Sequence, residues 1–357
     1  MKQVSIRPVW TIQGPSGPPL PARLIELLVQ VSESGSLLLA SRALALSYRH
    51  AWDLVRQGEA VVQAPLLQME RGRGSTLTAL GARIVWADKR IRARLTPALE
   101  SLSWELAQEL EGVLNPQPAA LRLHASHGFA IECLIERMAA ECPALSFQWA
   151  SSTAVAAALR QGDCDIAGMH LPHGAMQEGL LRAYAPWLQG LPLTLVDIAT
   201  RRQGLMVRAG NPKEIYTLGD LARPEVRFVN RQSGSGTRLL LEGLLREQDI
   251  KPTQIAGYEH SESTHAAVAA CVASGLADVG FGLEPPARQF KLEFVPIATE
   301  RYFLLCRNTE LQGAQMQAII SALRDPAFRH KLSKLPGYDT SAAGTITPLE
   351  QAYPLLG

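Results

Sequence analysis

The sequence contains little cysteine and no long apolar run. Its five cysteines in 357 residues are widely spaced and form no C-x-x-C pair, so neither a disulfide framework nor a zinc site is predicted from them. No uncharged apolar stretch of about 18 residues occurs, and the N-terminal residues lack the apolar segment of a signal peptide. We therefore expect a cytoplasmic protein that does not interact with membranes.

Motifs for catalysis and nucleotide binding are also missing. The sequence has no Gly-x-Ser-x-Gly elbow, no His-Glu-x-x-His pair and no Gly-Lys-Ser/Thr phosphate loop. We expect no enzymatic activity, no cofactor and no bound metal. The length of 357 residues and the hydrophobic content of 47% are typical of a globular protein with two or three domains.

The N-terminal region has the pattern of a helix-turn-helix. Apolar residues at helical spacing from Leu24 to Val31 predict a first helix, and Ser34-Gly35-Ser36 ends it, with Ser36 as the N-cap of a second helix that runs to about Ala45. Ser47 is the expected N-cap of a third helix whose inward face is Ala51, Trp52 and Val55. The outward side chains of this helix suit a recognition helix; they are Tyr48, Arg49, His50 and Arg56.

Two short strands are predicted next, at residues 66–70 and 75–78, around the tip Arg71-Gly72-Arg73-Gly74. Such a hairpin is typical of a wing whose arginines approach the DNA backbone or minor groove. Between Ser36 and Leu95 there are ten basic and four acidic residues, a local net charge of +6, whereas the whole chain carries only +2. This concentration of positive charge favours DNA binding at the N-terminal end.

The string ESGSLLLASRALALSYRHAWDLV, followed by LTALGARIV, resembles the N-terminal winged helix of the molybdate-responsive ModE-type regulators, which is similar to that of the LysR-type regulators. The resemblance covers about a fifth of the chain and implies that Ser47 to Trp52 open the recognition helix. The wing is shorter and less glycine-rich than in that family. The predicted contacts to a double-stranded DNA operator are Ser36, Ser47, Tyr48, Arg49, His50, Arg56, Arg71 and Arg73.

Residues Leu80 to Val113 predict a long helix with an apolar stripe. Thr96-Pro97 is a good N-cap and first-turn pair, so we expect a kink or a restart there. We interpret the stripe as a dimerisation face, which would make the protein a homodimer or a homotetramer; the alternative is packing on the chain's own effector domain. The predicted domains are a flexible tail (1–19), the winged helix (20–88), the linker helix (89–114), an α/β effector domain (117–345) and a C-terminal tail (346–357).

Strands and helices alternate after residue 119, which predicts an α/β domain. Hydroxyl, glycine and histidine residues stand where strands end and helices begin, and such helix N-termini favour anions. The strongest example is Arg231-Gln232-Ser233-Gly234-Ser235-Gly236-Thr237-Arg238, whose glycines would let backbone N–H groups form an anion nest. A Gly-Ser turn that merely caps a helix is the alternative, and each histidine here could equally be a hydrogen-bonded core residue.

The strings ASHG, DIAGMH, RQSGSGTR and THAAVAACVASGLADVGFG resemble periplasmic-binding-protein-like effector domains. The resemblance covers about residues 121–338 and implies a two-lobed type II α/β domain, with two crossing strands at Thr194–Arg208 and Glu293–Arg307 and a ligand between the lobes. The implied ligand is a small anion, molybdate or tungstate. The candidate contacts are Ser126, His127, Ser151, Ser152, His170, Arg231, Ser233, Gly234, Ser235, Gly236, Thr237 and His265.

Other ligands and roles stay open at this point. Formate, another small carboxylate or a molybdenum-cofactor-type ligand would need different donors in the same cleft. A cytosolic ligand-binding protein without a regulatory role is the alternative of a different class, and sequence-specific DNA binding would separate the two.

Overall fold

The computed structural model describes residues 4–13, 17–70, 74–114, 121–141, 145–174 and 176–356. The chain forms two compact units, one of Arg7–Leu95 and one that contains Thr96–Gly357. The boundary between them lies a few residues beyond the predicted limit of the winged helix. Among the described helices, none has the length and apolarity that a membrane crossing requires.

The N-terminal unit is a winged helix-turn-helix. Its elements are α1 (Ala22–Ser34), α2 (Leu37–Ala43), α3 (Tyr48–Val62), β1 (Leu67–Glu70), β2 (Gly74–Leu77) and the start of α4 (Ala79–Leu114). Helix α1 ends at Gly35, whose φ of 66° places it in the left-handed region that glycine adopts without strain. The amphipathic faces of the helices enclose one core that includes Leu24, Leu28 and Val55.

Residues before α1 belong to this core, which corrects the expectation of a flexible tail over 1–19. Trp10 and Ile12 pack against the core, and the Trp10 indole donates a hydrogen bond to Asp88 at 2.9 Å. The Leu20 N–H donates to the Ile12 carbonyl at 2.7 Å. Partial burial of a large aromatic ring with its N–H satisfied holds this segment in place.

Helix α4 continues through Pro97 without a break, so the restart expected at Thr96-Pro97 is wrong. A proline inside a helix lacks the N–H that would bond to the preceding turn, but the 36-residue helix extends on both sides of Pro97.

The second unit is built around one mixed sheet. Within the described residues, ten strands join in the order β4-β3-β5-β10-β6-β9-β7-β8, with β11 and β12 on β6. The strands are β3 (Leu121–Ala125), β4 (Leu145–Trp149), β5 (Ile166–Pro172), β6 (Leu193–Val207), β7 (Phe228–Arg231), β8 (Ser261–Glu262), β9 (Val279–Leu283), β10 (Glu293–Arg307), β11 (Tyr338–Asp339) and β12 (Ile346–Pro348).

Helices cover both faces of this sheet. They are α5 (Phe129–Glu141), α6 (Ser152–Gln161), α7 (Met176–Leu188), α8 (Gly236–Glu247), α9 (His265–Ala273), α10 (Glu284–Gln289), α11 (Ala314–Arg324), α12 (Pro326–Ser333) and α13 (Leu349–Ala352). Adjacent residues on β6 illustrate the two layers, because Val196 joins the core beneath α5 and α11 while Leu195 joins the core beneath α6 and α7.

Strands β6 and β10 join two lobes. Each is 15 residues long, and they pair antiparallel along their length. Strand β10 pairs with β5 of the first lobe through Glu300–Cys306, and β6 pairs with β9 of the second lobe through Gln203–Val207. The two crossing strands predicted from the sequence therefore exist, within one residue of the expected bounds.

The C-terminal residues are part of the first lobe, which corrects the predicted tail at 346–357. Strand β12 pairs with β6, and Leu349, Tyr353 and Leu356 are at most 4% exposed in the core beneath α6 and α7. These apolar side chains bury enough surface to order the segment.

Candidate functional site

The predicted capping residues of the helix-turn-helix form their expected bonds. The Ser36 hydroxyl accepts a hydrogen bond from the Leu39 N–H at 3.4 Å, and the Ser47 hydroxyl accepts one from the His50 N–H at 3.2 Å. Each cap satisfies one of the backbone donors left open at a helix N-terminus. Both serines thus have a structural role in starting α2 and α3.

Helix α3 presents polar side chains to solvent. Tyr48, Arg49, His50 and Arg56 are exposed, and Tyr48 packs edge-on against Trp52. Neither Arg49 nor Arg56 forms an ion pair with any residue that the structure describes. The opposite face is buried through Ala51, Leu54 and Val55.

The wing is tied to the helix-turn-helix. The Ser75 N–H of β2 donates to the Gly35 carbonyl at 3.0 Å, and the Ser75 hydroxyl accepts from the Leu37 N–H at 3.3 Å. These bonds hold the hairpin against the turn between α1 and α2. Arg71 and Arg73, the predicted tip contacts, lie outside the described residues.

The second candidate site lies where the two lobes meet, at the middle of the crossing strands. Strand β6 supplies Arg201 and Gln203, and β10 supplies Glu300; all three are at most 1% exposed. The Arg201 Nε donates to Glu300 Oε1 at 2.5 Å, and Gln203 Nε2 donates to the same oxygen at 3.1 Å. The result is a buried polar network between the two crossing strands.

Residues from both lobes join this network. His170, at the end of β5, has its Nδ1 at 3.1 Å from Glu300 Oε2, and its Nε2 lies 3.4 Å from the Ser152 hydroxyl. From the second lobe, the Thr237 hydroxyl accepts a hydrogen bond from Gln203 at 3.0 Å. Predicted residues from β5, α6 and α8 are therefore brought together by side chains of β6 and β10.

Two glycines allow the close approach of these groups. A Cβ on Gly236 would lie 2.3 Å from His170 Cε1, and a Cβ on Gly128 would lie 2.7 Å from the Arg201 Nη1. Such distances are below van der Waals contact, so a side chain at either position would push the imidazole or the guanidinium away.

Arg231, at the end of β7, is a second buried arginine. Its Nη1 donates to the Glu262 carbonyl at 3.3 Å, while its Nε is buried without a hydrogen-bond partner in the described part of the chain. Burial, and then the positive charge of Arg201, lower the pKa of Arg231 to about 10. The guanidinium is still protonated at neutral pH.

Arg201 also has buried N–H groups that do not bond to Glu300. Neither of its terminal nitrogens forms a well-aligned hydrogen bond within the described residues. The Tyr338 hydroxyl lies nearby, and the centre of the Tyr302 ring lies 4.4 Å from the guanidinium carbon. Burial alone would raise the pKa of Glu300, but the charge of Arg201 and the contact with His170 lower it below its ordinary value. Glu300 is therefore ionised beside Arg201.

His265, at the start of α9, is 2% exposed. Burial, followed by the charges of Arg231 and Arg201, lowers its pKa well below the ordinary value. Its Nδ1 accepts a hydrogen bond from the Leu283 N–H at 3.3 Å, which agrees with a neutral ring. It is thus an anchored, uncharged histidine beside two arginines.

The other predicted ligand contacts occupy different positions. Ser126 is 8% exposed, and its hydroxyl has no partner among the described residues, so it can serve a ligand. His127 instead points toward Glu132, with 2.8 Å between Nε2 and Oε1. Ser151 caps α6 through the Ala154 N–H.

The Arg231–Arg238 segment is only in part a loop. Helix α8 begins at Gly236, inside this segment, because the Ser235 hydroxyl caps it by accepting from the Arg238 N–H at 3.3 Å. Gly234 has a φ of 76°, which only glycine adopts readily. Ser233 is exposed and lies apart from the buried network.

Arg201, Gln203 and Glu300 were not among the ligand contacts predicted from the sequence. A signal was present, because Arg201-Arg202-Gln203 and Glu300-Arg301 interrupt mainly apolar segments that were predicted to cross between lobes. Charged residues inside a buried strand require partners, and this requirement could have identified them.

The fold and this network define a two-lobed α/β binding domain whose interlobe region is rich in buried cationic donors. The chain belongs to the family described as the PBP superfamily domain, whose model matches residues 136–324. This match agrees with the predicted fold class of an α/β, periplasmic-binding-protein-like effector domain.

Two curated relatives are similar to parts of the chain. An uncharacterized protein of Bacillus subtilis, YvgK, is 34% identical over 188 residues, which are 52% of this chain and 60% of the relative. The molybdenum-pterin-binding protein MopB of Rhodobacter capsulatus is 28% identical over 130 residues, which are 35% of this chain and 47% of MopB. The chain thus spans about half of each relative's length.

Among solved structures, the chain is similar to a mutant of Corynebacterium glutamicum OxyR with bound H2O2. The sequence identity is 14%, the match covers 83% of this chain and 89% of the other, and the TM-score is 0.42. A likeness at this level supports no argument about function.

Proposed function

We propose that the protein is a homodimeric DNA-binding transcriptional regulator whose C-terminal unit binds a small oxyanion, molybdate or tungstate. The observation that carries the ligand part is the pair of buried arginines, Arg201 and Arg231, which have buried N–H donors that form no well-aligned hydrogen bond in the described residues.

An anion would satisfy these donors. A buried cation is stable only with a charged or hydrogen-bonding partner, and Glu300 contacts Arg201 through Nε alone. The α6 and α8 N-termini lie beside His170, at Ser152 and Gly236, and helix N-termini favour negative charge. The Ser126 hydroxyl adds a neutral donor.

The two buried arginines face one ionised carboxylate, Glu300, so the network keeps a net positive charge that attracts an anion. Molybdate and tungstate are supported further by the resemblance to ModE-type regulators and by the similarity to MopB, whose name describes molybdenum-pterin binding. A pterin-type ligand is the second candidate on the ground of that similarity.

The DNA-binding part of the proposal depends on α3. Its Arg49, His50 and Arg56 are exposed on one helix that follows a capped turn, which is the arrangement a recognition helix needs in a major groove. The basic surplus of this region supplies the attraction to phosphates.

The dimer is supported by α4. Leu102, Leu106, Leu110, Val113 and Leu114 are between 42% and 84% exposed. They recur mainly at steps of three and four residues, which is the spacing of a helix-pairing stripe. A second copy of the same helix would cover this face and place two recognition helices on a two-fold-symmetric operator.

A thermal-denaturation series tests the ligand. The protein is heated with molybdate, tungstate, sulfate, phosphate or formate, and a ligand present at about 100 times its Kd stabilises the folded state by about 2.7 kcal/mol. We expect a rise in Tm with molybdate and tungstate that Arg231→Gln abolishes. Arg246→Gln, at an exposed arginine of α8, is the control. A rise with formate alone would contradict the oxyanion proposal.

A further inference from the structure

Three potential metal ligands meet beside the interlobe region. Glu100 lies on α4, His127 in the turn between β3 and α5, and Glu132 in the first turn of α5. One ligand atom from each lies within 4.8 Å of the other two. The three side chains come from separate elements, so the folded lobe and not the local sequence brings them together.

The distances suit a divalent cation. Zn²⁺ binds imidazole nitrogen and carboxylate oxygen at about 2.0–2.2 Å, so two of its ligands are at most about 4.4 Å apart. The His127 Nε2 and Glu132 Oε1 are already 2.8 Å apart. The separations in the cluster, none above 4.8 Å, therefore lie near the range that one bound ion imposes on its ligands.

The surroundings orient these groups. Glu100 Oε2 accepts a hydrogen bond from the Trp149 indole at 3.1 Å, and the Trp149 ring centre lies 4.8 Å from that of His127. His127 Nδ1 is buried and has no hydrogen-bond partner within the described residues, and the His127 side chain is only 11% exposed. The indole hydrogen bond to Glu100 is the kind of outer contact that orients a metal ligand, whereas packing alone supports the His127 ring from outside the cluster.

The cluster also has an electrostatic need for a cation. Glu100 and Glu132 each place a carboxylate oxygen within 4.8 Å of the other. Two carboxylates this close repel each other, and a divalent cation between them would remove the repulsion.

We propose that Glu100, His127 and Glu132 form a divalent-cation site of the Zn²⁺ class that joins α4 to the first lobe. The site is separate from the oxyanion proposal, because none of its three ligands belongs to the Arg201–Glu300 network. Its turn leads directly into Gly128, which contacts Arg201, so an occupied site would restrict the backbone next to the anion donors.

Isothermal titration of the untagged, EDTA-treated full chain with ZnCl2 tests the proposal. We expect one Zn²⁺ per chain, with affinity weakened at least tenfold in both His127→Asn and Glu100→Gln. Glu105→Gln, at an exposed position of α4, is the matched control and should bind like the parent. Two independent ligand variants are used because either alone could disturb folding, which circular dichroism reports.

A second cluster, His260, Glu262 and Cys271, provides the competing explanation. Co²⁺ bound at the proposed site has only nitrogen and oxygen ligands, so its absorption spectrum should show no thiolate-to-metal charge-transfer band. In a separate measurement, Trp149→Phe should remove part of the change in tryptophan fluorescence that metal binding causes. Absence of stoichiometric Zn²⁺ binding would overturn the proposal. Binding that survives in folded His127→Asn, or a thiolate band with Co²⁺, would overturn it equally.

Discussion

At the scale of single residues, close contacts between the lobes depend on Gly236. Its Cα faces His170, with 2.3 Å between an added Cβ and the imidazole Cε1. We predict that Gly236→Ala destabilises the protein by about 1–3 kcal/mol through overpacking and weakens oxyanion binding at least tenfold. Urea unfolding and the ligand titration measure the two effects.

Gly179→Ala is the control for this prediction, because an added Cβ there meets nothing within 4 Å inside helix α7. It should stabilise the protein by about 0.5–1 kcal/mol, as alanine favours helices over glycine. Equal stability changes in the two variants would show that the contact with His170 has no energetic consequence.

His265 predicts a pH dependence. Because its folded-state pKa is lowered, folding is most favourable above the unfolded pKa of about 6.5, and stability falls below that pH as the unfolded chain takes up a proton. One such group contributes a loss of about 1 kcal/mol between about pH 7 and pH 5.5. His265→Gln should reduce the pH slope of urea unfolding over this interval, and an unchanged slope would show that His265 is protonated in the folded state.

At the scale of elements, the apolar stripe of α4 is the proposed dimer interface. We predict that Leu106→Glu combined with Leu110→Glu converts a dimer into a monomer, since charges would replace apolar side chains at the interface. Light scattering after size exclusion measures the mass. Leu355→Glu changes another exposed leucine, 46% exposed, and should leave the dimer intact; a wild-type monomer would contradict the proposal.

Helix starts were predictable from local sequence because capping is a local interaction. Ser36, Ser47 and Thr264 each accept a bond from a backbone N–H three residues later. Helix α8 begins within the Arg231–Arg238 segment although two glycines there disfavour a helix, because the Ser235 cap and the tertiary contact of Gly236 with His170 support one.

At the scale of the whole molecule, the proposal separates DNA binding from ligand binding. We predict that Arg49→Ala weakens operator binding about tenfold and lowers the slope of log K against log salt concentration by about 1, as expected for the loss of one phosphate contact. Its oxyanion affinity should stay at the parent value. Thr237→Ala should do the reverse, and loss of both activities in both variants would refute two independent sites. Fluorescence anisotropy with labelled operator measures the first activity.

Coupling between the two activities is a further expectation. A ligand can shift the protein between conformations only through its different affinity for them. Operator affinity measured with and without molybdate should therefore change by the same factor as molybdate affinity measured with and without operator.

The amino-acid sequence by itself determined the features that depend on neighbours along the chain. These include the helix caps, the amphipathic faces of the N-terminal helices and the alternation of strands and helices, since each results from interactions within a few residues. The crossing strands were also predictable. The resemblance to a two-lobed domain implied two such strands, and the sequence contains two mainly apolar segments of similar length at the expected places.

Only the tertiary structure decided which residues share a site. Arg201 and Glu300 are 99 positions apart in the sequence, and a polar residue within a strand can face solvent as well as a core. The order of residues 346–356 also depends on tertiary contacts. Their apolar side chains follow no helical or strand pattern in the sequence, and they are ordered by pairing with strand β6 and by the core beneath α6 and α7. Distant residues meet through sheet pairing and burial, which no short window of sequence contains.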